Sequence, residues 1–153
     1  MRTTQIECIV FRKNKGLFEF LLLKRIPEKG GFWQPPCGGL EKSDISKLEA
    51  AYRELLEEAN LKKENIIRVI EDVDIFEINK HYLTGEPIPT ITEYVFGFEV
   101  NPDFAVSIHN NIYLEHETFE WVPFDKALSL LKWENNKVAL QKLNQLLNKE
   151  KLS

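Results

Sequence analysis

Residues 35–61 constrain this 153-residue chain most tightly. Pro35-Pro36 and Gly38-Gly39 break any helix through them, the prolines by lacking amide donors and the glycines by backbone freedom. Directly after them Ile45, Leu48, Tyr52, Leu55 and Ala59 recur at spacings of three and four. That rhythm marks one apolar face of a helix. An irregular or extended segment must therefore hand the chain to a helix whose inner face needs covering. Ser43, Asp44 and Ser46 all offer capping oxygens. Ser46 with Glu49 fits a capping box, which leaves Ile45 outside the helix as a staple-like residue. Asn60 tolerates the left-handed conformation that closes a helix.

The flanking segments supply the cover. Gln5–Arg12 and Leu17–Arg25, joined by Asn14-Lys15-Gly16, read as a hairpin. A loop is expected at 26–31, and further strands at 66–78, 90–100 and 113–122. In the second of these Tyr94, Phe96, Phe98 and Val100 form an aromatic face opposite Ile91, Glu93, Val95, Gly97 and Glu99. Gly85, Pro87 and Pro89 make 80–89 a loop. The tail from Phe124 to Lys149 is helical with a break near 132–135, and Val138, Leu143, Leu146 and Leu147 can dock it. The alternation predicts an α/β fold, a mixed sheet layered between helices.

Apolar residues make up 43% of the chain and charged residues 29%, which suits a domain burying roughly 70% of its unfolded surface. No linker, repeat or low-complexity tract divides residues 1–153, so one domain is expected. The net charge of −4 argues against a nucleic-acid partner. An anionic small substrate would need locally placed cations or metal ions. No apolar run approaches the ~20 residues of a membrane span, and Met1–Gln5 lacks the apolar stretch of a signal peptide. Cys8 and Cys37 have no ligand-like spacing and read as reduced thiols, Cys8 buried, in a cytoplasmic protein.

The chemistry lies in Arg53-Glu54-Leu55-Leu56-Glu57-Glu58. On a helix Glu54 neighbours both Glu57 and Glu58, and each like-charge pair costs about 0.2–0.5 kcal/mol. They also crowd the helix C-terminal half, where the dipole disfavours anions. A solvated acidic face with Arg53 paired to Glu57 accounts for such a string alone. A hard divalent cation accounts for it together with the glycines before it, since such a cation binds carboxylate oxygens and phosphates.

The combination resembles the Nudix box: Gly, five residues, Glu, seven residues, Arg-Glu, aliphatic, any, Glu-Glu, any, Gly, aliphatic. Gly39 takes the first position, Arg53 to Ala59 follow in register, and Leu61 ends the match. Ala50-Ala51 stand where the family commonly has small residues. Ile45 replaces the first Glu and Asn60 the last Gly, with Asp44 and Glu41 near enough to compensate. Leu21–Arg25 is similar to the family strand ending in a basic residue, and Gly31-Phe32-Trp33-Gln34 to its approach to the box. Leu114–Trp121 is similar to a downstream Glu-His…Trp segment. Trp133–Leu140 is similar to the tail of the dihydroneopterin triphosphate/dATP pyrophosphatase subgroup.

The resemblance implies an α/β/α sandwich in a single Nudix domain. It also implies a magnesium- or manganese-dependent pyrophosphohydrolase acting on a (d)NTP or dihydroneopterin triphosphate. A dinucleoside polyphosphate or nucleotide-sugar hydrolase is the alternative, as is a nucleotide-binding module impaired at Ile45. Gly39, Glu54, Glu57, Glu58 and Glu115 are the implied metal ligands, with Glu115 completing the site or acting as base and Glu117 and Glu120 its rivals. Arg53 orients the carboxylates. Lys24 and Arg25 end a strand, as solvated cations or phosphate contacts. Gly38 lets substrate approach the backbone. Trp33, Tyr82, Tyr94 and Phe96 serve core packing or stack on a ring. His116 reads as a buried or turn imidazole. A monomer or a homodimer is implied.

Overall fold

The structure, a computed structural model, describes residues 3–109 and 111–151. The hairpin consists of β1 (Thr4–Asn14) and β2 (Leu17–Arg25), turned by Lys15 and Gly16 at φ 53° and 81°. Positive φ at both turn residues matches the twist of the paired strands. Two short strands, β3 (Trp33–Gln34) and β4 (Cys37–Gly39), flank the proline pair. Then come α1 (Lys47–Ala59), β5 (Ile66–Lys80), β6 (Pro87–Val100), β7 (His116–Val122), α2 (Phe124–Leu130) and α3 (Glu134–Lys151). The strands line up as β3-β2-β1-β6-β5, with β4 beside β1 and β7 beside β2. Among the described strand pairs β1 and β6 run parallel and the others antiparallel, so the sheet is mixed as expected.

Period-two alternation sorts the side chains into two layers. Ile6, Cys8, Val10, Phe96, Phe98 and Val100 pack with Ala50, Ala51, Leu55 and Ala59 of α1. Ile9, Phe11 and Val95 face the other way, onto Ala127, Leu140, Leu143 and Leu147 of α2 and α3. Each large apolar side chain buried this way contributes about 1.5–3 kcal/mol. The result is the α/β/α sandwich.

The structure decides between the open helix starts and corrects several other expectations. The Ser46 hydroxyl accepts from the Glu49 amide at 3.1 Å, so α1 starts at Lys47. Ile45 neither extends the apolar face nor staples the helix, because it is 93% exposed. Leu146 is exposed while Leu143 and Leu147 carry the docking of α3. Residues 113–115 precede β7 instead of belonging to it. The 80–89 loop is shorter than expected, since Lys80 pairs with Pro87 and the cross-strand ladder carries a polar hairpin past the apolar pattern. Asn60 closes α1 at φ 57°, ψ 34°, as its side chain allows.

Candidate active site

The α1 register places its carboxylates unequally. Glu54 and Glu58 turn inward toward β4 and are buried, whereas the Glu57 side chain is half exposed. Their neighbour Arg53 gathers the segment before the helix. It donates through Nε and Nη2 to the two Asp44 oxygens at 3.0 and 2.9 Å, and through Nη2 to the Gly39 carbonyl at 2.9 Å. Its Nη1 reaches Glu54 at 2.9 Å, Glu41 at 3.4 Å and Glu57 at 3.5 Å. Asp44 and Glu41, the acids near Ile45, thus both lie on Arg53. The Arg53 guanidinium holds the Asp44 carboxyl below its usual range.

Gly38 explains itself by space. A Cβ at this position would overlap the carboxyl carbon and both oxygens of Glu54. The Glu54 carboxyl therefore lies directly on the β4 backbone. Glu58 is 2% exposed. Its Oε2 accepts from the Cys37 amide at 2.9 Å, while its Oε1 is buried without a hydrogen-bond partner. Beside it are Glu115 and His116, and one ligand atom from each of the three lies within 4.8 Å of the others. Glu117 instead pairs with Lys24 at 3.1 Å and Glu120 with Lys126 at 3.0 Å. Of the three rival acids, Glu115 is the one the fold brings to the cluster.

Electrostatics follow from this crowding. Burial, opposed by Arg53 and reinforced by Glu57, lifts Glu54 to about 7. Burial, then Glu54 and Glu115, push Glu58 well above the usual carboxylate range. Burial with the charges of Arg25 and Lys29 lowers His116 to about 4, so its ring is neutral. The Gln34 amide nitrogen meets Nε2 of that ring at 3.1 Å. This donor set, with an orphaned buried oxygen among negative neighbours and a glycine cradle, fits a hard divalent cation.

A cavity of about 790 Å³ adjoins the cluster, sharing Gln34 and Cys37 with it. Phe32, Tyr82 and Trp133 line it, with Phe32 edge-on to both other rings at 6.0 and 5.5 Å. Arg25 lines it as well and lies over the Phe32 and Tyr82 rings at 5.4 and 5.0 Å. Among the other expected contacts, Trp33 packs on the α2–α3 side and Phe96 in the α1-side core, with Tyr94 against that core. Trp33, Lys24 and Gly38 do not line the cavity. Sequence reasoning gave no site role to Trp133, Asn136, Glu7 or Glu93, although Trp133 and Asn136 lie in the string similar to the subgroup's tail. The available signal was acids at strand positions whose neighbours on the same face are apolar.

Residues 1–143 match the NUDIX domain. The chain belongs to the NUDIX family. These proteins hydrolyse phosphoric anhydrides and generally require a divalent cation. The chain is 33% identical over 141 residues to dihydroneopterin triphosphate diphosphatase of Haemophilus influenzae, covering 88% of this chain and 82% of that one. It is 35% identical over 136 residues to an octanoyltransferase of Myxococcus xanthus, covering 88% of this chain but only 34% of that longer protein. Its fold superposes on a Caenorhabditis elegans Ap4A hydrolase with a TM-score of 0.74 at 26% identity, across 96% of this chain and 98% of the other. Among the described residues no helix is long and apolar enough to cross a membrane.

Proposed function

We propose that this chain is a magnesium- or manganese-dependent pyrophosphohydrolase that adds water to a nucleoside or pterin triphosphate, yielding the monophosphate and pyrophosphate. The observation carrying this reading is the unpartnered, buried Oε1 of Glu58 among Glu54, Glu115 and His116, beside a cavity sized for a heterocycle. Glu54, Glu57, Glu58 and Glu115, with the Gly39 backbone, would hold the cation. Once bound, it supplies Lewis-acid polarisation of the phosphate oxygens and acidifies a bound water.

The protein's own residues do the positioning. Arg53 ties Asp44, Gly39 and Glu54 into one unit, so the carboxylates are preorganised. Glu115, partly exposed at the edge of the cluster, takes the proton of the attacking water in this reading. Arg25, held by the Lys29 carbonyl at 2.8 Å, contacts phosphate oxygens between cluster and cavity. The aromatic walls hold the ring. The bidentate Asp44–Arg53 contact favours a working enzyme over a module impaired at Ile45.

The test replaces Glu57 and Glu58 together by Gln and follows pyrophosphate release with Mg²⁺. A loss of at least ~10²-fold is expected, the scale of several kcal/mol of transition-state charge stabilisation. Unchanged turnover removes these residues from the mechanism. Product analysis with the wild type separates pyrophosphate release from cleavage of a dinucleoside polyphosphate, the reading that similarity to the Ap4A hydrolase supports.

A further inference from the structure

The cavity has a polarity gradient of which the hydrolytic chemistry uses only the cationic end. At its exposed end sit Arg25 and Lys132, the latter over Trp133 at 4.8 Å. Its deep end is acidic. Glu93 of β6 lines it at 3% exposure, beside its parallel-register partner Gln5 of β1. Asn136 of α3 lines it too, and its amide nitrogen donates to Oε1 of Glu7, leaving the amide oxygen as a further acceptor. Glu7 is 1% exposed, and its Oε2 has no hydrogen-bond partner. Among the described residues no cation pairs with Glu7 or Glu93. The Gln5 side chain donates to Glu93 and the Asn136 amide to Glu7, and these donors still leave Glu7 Oε2 unmatched, so the buried end holds acceptors in excess of donors. A buried acceptor left unmatched costs free energy until a donor reaches it.

We infer that Glu93, backed by Glu7 and Asn136, reads the substrate's ring by accepting from an adjacent ring N–H and exocyclic amino group, the 2-amino-4-oxo edge of guanine and of pterins. Such an edge presents two parallel donors, and a carboxylate accepts them as it accepts an arginine fork. Adenine offers one donor beside a ring-nitrogen lone pair, which would face a carboxylate oxygen. Hypoxanthine keeps the ring N–H but lacks the amino group. Stacking on Phe32, Tyr82 and Trp133 is blind to these differences, so discrimination falls to the acidic end. The pairing of charges matches the whole substrate: cations where the phosphates must lie, acids where the donors end. This assignment rests on the triphosphate reading above and names its ring class.

Tryptophan fluorescence titration of the wild-type protein with GMP, neopterin, IMP and AMP tests it without requiring turnover. GMP and neopterin should bind at least ~5-fold more tightly than IMP or AMP, the lower end of what one bidentate contact confers. In parallel, kcat/KM for GTP over ITP should show the same preference, and the isosteric Glu93→Gln should collapse it. Equal binding of GMP and IMP, tighter binding of AMP, or no binding of any of the four overturns the inference. Hydrolysis of ATP and ITP as fast as GTP overturns it while sparing the proposed activity. GMP selectivity without hydrolysis of any triphosphate instead overturns the activity and leaves the ring assignment standing.

Discussion

Glu54 should destabilise the metal-free protein, and replacing it by Gln should show by how much. Its carboxyl is raised from an ordinary 4.5 to about 7, chiefly by burial. Between those values the unfolded chain ionises while the folded one keeps its proton. The native state then binds more protons, so its stability falls as pH rises, and the penalty is complete above about 7. A shift of that size corresponds to about 3 kcal/mol, a large share of a typical 5–15 kcal/mol. Glu54→Gln keeps an acceptor for Arg53 Nη1 and removes the charge. Urea unfolding with chelator should find the two proteins similar near pH 5 and the variant more stable at pH 8, by up to about 3 kcal/mol. Glu7 and Glu93 are raised as well, but they occur in both proteins and cancel; Glu58, which the Glu54 charge helps to raise, relaxes in the variant and adds to the difference in the same direction. With Mn²⁺ at 1,000 times the wild-type Kd the order should reverse, because the ligand then adds about 4.1 kcal/mol and the variant has lost a ligand. A gap between the proteins that stays constant from pH 5 to 8 would refute the idea that burial of this carboxyl stores strain for a cation.

Three further perturbations separate the parts of the site. Gly38→Ala should cost about 1–3 kcal/mol through overpacking and lower metal affinity by roughly 10–100-fold, since the new methyl overlaps the Glu54 carboxyl; calorimetric Mn²⁺ titration checks this, and Gly85→Ala, with nothing within 4 Å, should leave metal binding intact. Glu115→Gln should reduce turnover by at least ~10²-fold, whereas Glu117→Gln and Glu120→Gln should stay within a few-fold, because among the described residues it is Glu115 that lies with Glu58 and His116. Ile45→Glu should change neither rate nor melting temperature appreciably, given its exposure, while Asp44→Asn should slow turnover by loosening Arg53.

The box residues were legible because their cost is local. Three carboxylates within two turns of one helix conflict with its dipole and with each other, and that conflict can be seen without the fold. Gly38 was legible as a place of close approach, but what approaches is Glu54 from the helix after it, not the substrate. The distal acid was less legible: Glu115, Glu117 and Glu120 are alike in sequence and each lies near a lysine, Lys29, Lys24 and Lys126 respectively, so the separation comes from the fold placing Glu115 with Glu58 and His116. Ile45 misled for a related reason. Its spacing fitted the apolar face, but Ser46 caps the helix one residue later.

The acidic end of the cavity was hidden because its cost is non-local. Glu7 and Glu93 each sit at one polar position in an otherwise ordinary strand, and neither is anomalous alone. Parallel pairing of β1 with β6, which sequence periodicity does not specify, brings both acids to the α3 side of the sheet, and Asn136 arrives there from a helix 129 residues after Glu7. The two acidic groups therefore carry different kinds of information. The helix carboxylates concern the phosphoric anhydride, which is shared by every substrate of the family. The strand carboxylates concern the ring attached to it, which is where substrates differ. Ring preference should accordingly move with substitutions at residues 7, 93 and 136 while the metal cluster stays as it is.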